Sequence, residues 1–481
     1  MEWVLAADPE QLWPAREQMA FTLGFHIILV PFGVAFTFLM LIANYRGLKR
    51  NDETALLLAR RWSQVAAVLF AVGAVSGTVL SFELGLLWPG LMGTYGAAFG
   101  IPFAIEGLFF FIEAIFVAIY IYGWNRMKPW PHFWSGVPVV LSGVGGTSSV
   151  VAANAWMNQP AGFTLRDGQI VDVQPVQVLF NDAFWYEALH MLLAAYMVAG
   201  FTVAGVYAVG MLRGRRDRYH RLGLLIPLTV AALVTPVQIF VGDMAAREVF
   251  RNEPAKFAAI EALYRTDTHV PEVLGGWYSD NEVHYGVGIP WGASILSGYV
   301  PSTEIAGLEE VPPEFRPTDR AVTVVHLSFD VMVGIGMALL ALSGWFGWAW
   351  WRRRDLPRSQ WFYRCTAVSG VAAIVALEAG WVVTEVGRQP WTVVGHLLTR
   401  DAVTTEGNIW LLFGATVVLY AAVAIATFSV LGLLRKRWRA ADEAEADGAG
   451  VGGNGPDGTG PDGSRADDVE PAVPYGPGTS S

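Results

Sequence analysis

Apolar residues run along this chain in long blocks, and polar residues gather between the blocks instead of interleaving with them. Nine blocks are long enough for the roughly 20 residues that a membrane-crossing helix needs. They fall at about 20–44, 59–82, 99–123, 133–157, 183–212, 221–245, 322–350, 359–385 and 408–434. A helix satisfies its own backbone in lipid. The ten-residue alternating segments of a barrel are absent, and so is the internal repeat of an inverted-repeat transporter. The pattern therefore predicts an all-α, polytopic membrane protein with nine transmembrane helices. It divides the chain into an outer lead (1–19), helices 1–6 (20–245), a long outer loop (246–321), helices 7–9 (322–436) and a disordered acidic tail (437–481). Within the loop, Arg247 to Thr266 has helical character; the rest is broken by Gly and Pro.

Composition agrees with the pattern. The 481 residues are 53% hydrophobic and only 15% charged, against about 25% charged in soluble domains. The net charge of −10 reflects acids concentrated in the tail and the long loop. Nothing points to a nucleic-acid partner. The first residues lack a basic stretch ahead of an apolar core, so no cleaved signal is expected. Lys and Arg set the orientation. They cluster after span 1 (Arg46, Lys49, Arg50), span 3 (Arg126, Lys128), span 5 (Arg213 to Arg218), span 7 (Arg352 to Arg354) and span 9 (Arg435 to Arg439). The positive-inside rule then puts the N-terminus outside and the C-terminus in the cytoplasm.

The one cysteine, Cys365, excludes a disulfide framework, covalent c-type haem and cysteine-held clusters. A metal or haem would have to rest on His, Met or carboxylate. Ionisable residues inside spans mark functional sites by default. With the orientation above, His26, His190, Met332 and Glu378 all fall in the outer half of the membrane, as four potential iron ligands. Taken singly, each has a plainer reading. An intramembrane His often bonds a neighbouring helix, Met fills gaps, and His326 competes with Met332 on span 7. Glu106 and Glu113 share one face of span 3, about 10 Å apart along the axis. They read as stations of a proton relay, or as carboxylates bonded to neighbouring helices. Glu83 stands at the outer end of span 2, and Glu385 and Arg388 at the edge of span 8. In the loop, KFAAIE sets Lys256 and Glu261 on a helix, which by itself looks like a solvated helix.

Several of these segments carry a family resemblance. EAGW (Glu378 to Trp381), GRQPW (Gly387 to Trp391), PFAIEG (Pro102 to Gly107), GWNR (Gly123 to Arg126), NAWMNQP (Asn154 to Pro160), FDVMVGIG (Phe329 to Gly336) and KFAAIE occur in order. Over roughly 18–436 the chain resembles subunit I of the cytochrome bd quinol oxidases, including their cyanide-insensitive branch. The resemblance implies a haem-bearing subunit that oxidises quinol at the outer face and reduces O₂ to water with cytoplasmic protons, generating a proton-motive force without pumping. It implies His190 and Met332 as axial ligands of a low-spin haem b. His26 and Glu378 would hold the two high-spin haems: a haem b, and a haem d or haem b in its place. Arg388 and Trp381 would line the cofactor. Glu106 and Glu113 would belong to the proton path, and Lys256 and Glu261 to the quinol site. The implied partners are a second integral-membrane subunit and a small single-span subunit, in the cell membrane of a prokaryote. The other class open to such a chain is a membrane haem-b electron carrier or transporter that does not reduce oxygen. Asp330 stands where many relatives of this family have Arg.

Overall fold

A computed structural model describes residues 9–451. Nine helices among the described residues are long and apolar enough to cross a membrane. They are α1 (Leu12–Arg50), α2 (Glu53–Leu87), α3 (Pro89–Gly123), α4 (Pro129–Asn158, broken at Gly136), α5 (Phe184–Leu212), α6 (Arg218–Asn252), α7 (Asp319–Arg353), α8 (Gln360–Gly387) and α9 (Ile409–Val451). The nine expected spans are all present, and most of the helices overrun their apolar blocks. α1 begins at Leu12 and not near 20, so it takes up much of the expected lead; residues 1–8 of that lead lie outside the described residues. α9 runs past 436 to Val451, and 452–481 of the expected tail lie outside the described residues.

Local chemistry explains where the helices start. Asp52 caps α2 by accepting from the Ala55 amide at 3.3 Å. Thr318 and Ser359 do the same for α7 and α8. A side-chain oxygen of this kind satisfies an amide that has no helical partner. Asp52 also accepts from Arg46 at 3.1 Å and Arg218 at 2.7 Å, tying the turn after α1 to the start of α6. Within α1, Pro31 is followed by one π-helical turn, Phe32–Phe36. Proline removes a backbone donor, and such turns often mark functional positions.

The helices pack as neighbours: α1 on α2, α3 on α4, α5 on α6 and α8, α7 on α8. α5 and α8 approach closely because Gly370 faces the Thr202 backbone, where a Cβ would stand 2.5 Å from its Cα. That antiparallel register carries His190 to the level of about residue 382 on α8. The largest apolar core joins α1–α8. The loop between α6 and α7 is ordered. A short helix, Pro254–Ile260, is followed by two nested hairpins: Glu272–Leu274 with Val287–Ile289, and inside them Trp277–Ser279 with Glu282–His284. The Tyr278 amide donates to Thr323 Oγ1 at 3.0 Å, pinning the inner hairpin to the top of α7. Arg247 to Thr266 is therefore not one helix: α6 ends at Asn252 and a separate short helix follows.

Candidate functional site

The four candidate donors sit where helices come together. Glu378 Oε2 on α8 lies 3.5 Å from where a Cβ on Gly24 of α1 would stand, two residues from His26. Met332 Sδ on α7 lies 3.0 Å from such a position on Gly380, two residues beyond Glu378. His190 on α5 faces α6: its Cε1 is 3.2 Å from a Cβ at Gly242, and the Gln238 amide nitrogen is 3.2 Å from its Nδ1. α6 and α7 are in register through Ser343 Oγ, 3.4 Å from Thr235 Oγ1, and Gly336 against Ile239. That register brings Met332 to about residues 243–246 of α6, within a helical turn or so of Gly242, where His190 sits. His26 Nδ1 is 2.9 Å from Ser76 Oγ of α2. His326 does not compete with Met332. Its Nδ1 faces the Ile260 carbonyl at 2.8 Å and its Nε2 the Gly275 carbonyl at 3.2 Å, so the ring is committed to the loop.

Haem is the group this donor set suits: imidazole, thioether and carboxylate are all ligands that iron accepts. The unmet polar atoms agree. Glu378 Oε1 is buried with no hydrogen-bond partner, and so are Arg388 Nε and Nη1. Buried polar atoms without partners are costly; a cationic iron beside Glu378 Oε1 and an acidic substituent beside the Nε and Nη1 that Glu385 leaves free on Arg388 would satisfy them. Trp381 is partly buried against the main core on the same helix.

Glu106 and Glu113 follow one another up α3, half-buried. Glu113 Oε1 reaches to 3.7 Å from a Cβ at Gly33, inside the π-helical turn of α1. Neither carboxylate bonds a neighbouring helix among the described residues.

The loop helix is not solvated: Lys256 is 6% exposed and Glu261 9%. Lys256 pairs with Glu253 and donates to Asn158 Oδ1 at 3.1 Å. Its stem packs on GRQPW, with Cγ 2.9 Å from a Cβ at Gly387. Asn158 also donates to Glu187 at 2.9 Å and to Asn154 Oδ1 at 3.3 Å. Asn154 donates to Glu385 at 2.6 Å, and Glu385 pairs with Arg388. Tyr186 donates to Glu253 at 3.2 Å. One polar network thus runs from the loop helix, through the end of α4, to the end of α8. Glu261 lies beside it, next to Glu272 and close to Asp330, whose Oδ2 accepts from the Gly275 amide at 2.6 Å. Burial, with those carboxylates adding, pushes Glu261 well above the usual carboxylate range, and burial also raises Glu272.

Sequence reasoning missed Glu187, Glu253, Glu272 and the partnership of Asn154 with Asn158. Two signals were present: Glu187 is a carboxylate just inside a span, and the two asparagines stand four apart, on one helical face.

Residues 14–437 match the family described as cytochrome bd terminal oxidase subunit I. A Bacillus subtilis chain described, provisionally, as a cytochrome bd menaquinol oxidase subunit I is 34% identical over 426 residues, covering 87% of this chain and 95% of that one. A second B. subtilis chain, named cytochrome bd ubiquinol oxidase subunit 1, is 29% identical over 82% of this chain and 87% of its own length. Among solved structures, bd oxidase from Geobacillus thermodenitrificans superposes with a TM-score of 0.82 at 33% identity, covering 89% of this chain and 99% of that one.

Proposed function

This chain belongs to the cytochrome bd terminal oxidase subunit I family, and on that premise we propose that it oxidises quinol at the face carrying the 246–321 loop and uses the electrons to reduce O₂ to water. It is a haem-bearing, multi-pass subunit of a membrane terminal oxidase. His190 and Met332 hold a low-spin haem b. His26 and Glu378 hold the two high-spin haems, one a haem b and the other a haem d or a haem b in its place. Arg388, with Nε and Nη1 unpartnered, binds an acidic substituent of the cofactor, and Trp381 lines it. When bound, the haems supply one-electron transfer and oxygen activation.

The protein's own groups handle binding and protons. Lys256, held by Glu253 and Asn158, fixes a donor at the quinol site. Glu261 takes a proton from the quinol hydroxyl; burial beside Glu272 makes it a stronger base than an exposed carboxylate. That proton leaves on the outer side. Glu113, which lies against Gly33 in the π-helical turn of α1, and then Glu106 pass protons from the cytoplasmic side toward the outer half of the membrane, where oxygen reduction consumes them. Release on one side and uptake on the other build the proton-motive force, without a pump. The basic loops, with Arg46 and Arg218 on Asp52, mark the cytoplasmic end. A second integral subunit, and a small single-span one, complete the complex in the bacterial membrane.

The observation that carries this reading is that Glu378 lies against α1 two residues from His26 and two residues from the Gly380 that Met332 touches, with its Oε1, and Nε and Nη1 of Arg388, lacking hydrogen-bond partners. An oxygen-inert carrier or transporter is disfavoured by membership in a terminal oxidase family. His190→Ala is expected to abolish the low-spin band in a reduced-minus-oxidised spectrum while the protein stays inserted. An unchanged low-spin band in the purified variant would show the ligand assignment to be wrong.

A further inference from the structure

The hydrogen-bond geometry at Ser76 carries an inference about how His26 is held. Ser76 is 1% exposed on α2. Its Oγ has two polar neighbours, the Gly73 carbonyl at 3.1 Å and His26 Nδ1 at 2.9 Å. A hydroxyl has one hydrogen and two lone pairs. A carbonyl can only accept, so the Ser76 hydrogen goes to Gly73. The contact with His26 then needs a hydrogen from the ring, and Nδ1–H donates to Ser76 Oγ. That fixes the tautomer: Nε2 carries the lone pair, and it has no hydrogen-bond partner among the described residues.

The surroundings hold this arrangement in place. A Cβ on Gly77 would stand 3.1 Å from His26 Cε1 and 3.7 Å from Nε2, so the Cε1 side of the ring packs against bare backbone, which leaves it little room to swing. The Tyr420 hydroxyl of α9 donates to the Ser76 carbonyl at 3.3 Å. Toward the outer end of α2, Glu83 accepts from Gln18 at 2.7 Å and Thr22 at 3.0 Å, clamping α2 to α1 next to this contact.

We propose that Ser76 is a positioning residue for His26: its hydroxyl accepts from Nδ1, selects the tautomer that leaves Nε2 to the iron, and strengthens the imidazole as a donor. The inference rests on His26 as a haem ligand. The physical basis is general: the partner of a ligating histidine's second nitrogen sets ring orientation and basicity, and losing it typically costs about 10–100-fold in affinity or activity.

The test compares Ser76→Ala, Ser76→Thr and His26→Ala in the purified oxidase, by optical redox titration, resonance Raman of the iron–histidine stretch and haem content. Ser76→Ala is expected to raise the midpoint potential of one high-spin haem and lower its iron–histidine stretch, or to lose that haem; the low-spin haem stays native. Ser76→Thr, which keeps the hydroxyl, is expected to restore native values. A Ser76→Ala protein with its haem, potential and stretch all native overturns the proposal, as does a Ser76→Thr protein that behaves like Ser76→Ala. His26→Ala separates the two layers. If it keeps both high-spin signals, the ligand reading itself fails; if it loses one while Ser76→Ala changes nothing, only the role of Ser76 falls.

Discussion

Glu378 and Lys256 both stand close to the outer end of α8, one within the helix and one packed on its last residue, yet their surroundings are opposites. Lys256 has a carboxylate, a carboxamide and, through Asn158, a chain of further partners reaching Arg388. Glu378 has one oxygen buried with nothing to bond, and its neighbours are Gly24 and the Met332 side of α7. The region around Lys256 is complete without a guest. The region around Glu378 leaves one carboxylate oxygen without a partner, and on the proposed reading that partner is a cation. The groups around Lys256 are paired with one another, whereas Glu378, on the proposed reading, keeps an oxygen free to ligate.

This contrast can be broken most severely at Lys256. Lys256→Met keeps the stem against Gly387 but takes the counter-charge from Glu253, which is left with Tyr186 and Gln159 as its hydrogen-bond donors. Removing one partner of a buried pair costs about 3–5 kcal/mol, so thermal denaturation in detergent should show a loss of that order. Quinol oxidation should collapse while all haem bands persist; native stability with native turnover would mean the network does not organise the loop. A smaller effect is expected at Gly380→Ala. The new methyl would meet Met332 Sδ at 3.0 Å, and overpacking costs about 1–3 kcal/mol. The low-spin haem spectrum should shift and the high-spin bands should not; a shift confined to the high-spin bands would place Met332 elsewhere. The mildest change is Glu272→Gln. Removing that negative charge beside Glu261 lowers the Glu261 pKa from its raised value, so the base is ionised at lower pH. The rising limb of kcat/KM for quinol should move to lower pH, and movement to higher pH would count against Glu261 as the proton acceptor.

The fold was legible because span length and Lys/Arg placement are one-dimensional signals. Their edges were not: α6 continues past the apolar block to Asn252, where Arg247 paired with Asp243 and Arg251 with Glu248 stabilise a helix no longer apolar. His26, His190 and Glu378 were legible as candidates because a polar residue in a long apolar block is conspicuous. Asn158 and Lys256 were not legible as partners. They are 98 residues apart, on separate elements, and each is of an ordinary type in its own segment. Ser76 looked like any helical serine until its distance to His26 was known. Met332 lies between these cases: its type is uninformative, and its position beside Gly380 gives it meaning.

The uninterrupted course of α8 from Glu378 to Gly387 makes that helix a ruler. Nine residues at about 1.5 Å each set roughly 13.5 Å between the carboxylate and the floor of the loop site. A residue inserted there would lengthen the ruler by about 1.5 Å and turn Glu378 by about 100° relative to Gly387. Length can drift in the hairpins of the loop, where only a chain end moves. In this segment it cannot, because spacing and angular bearing are the same variable.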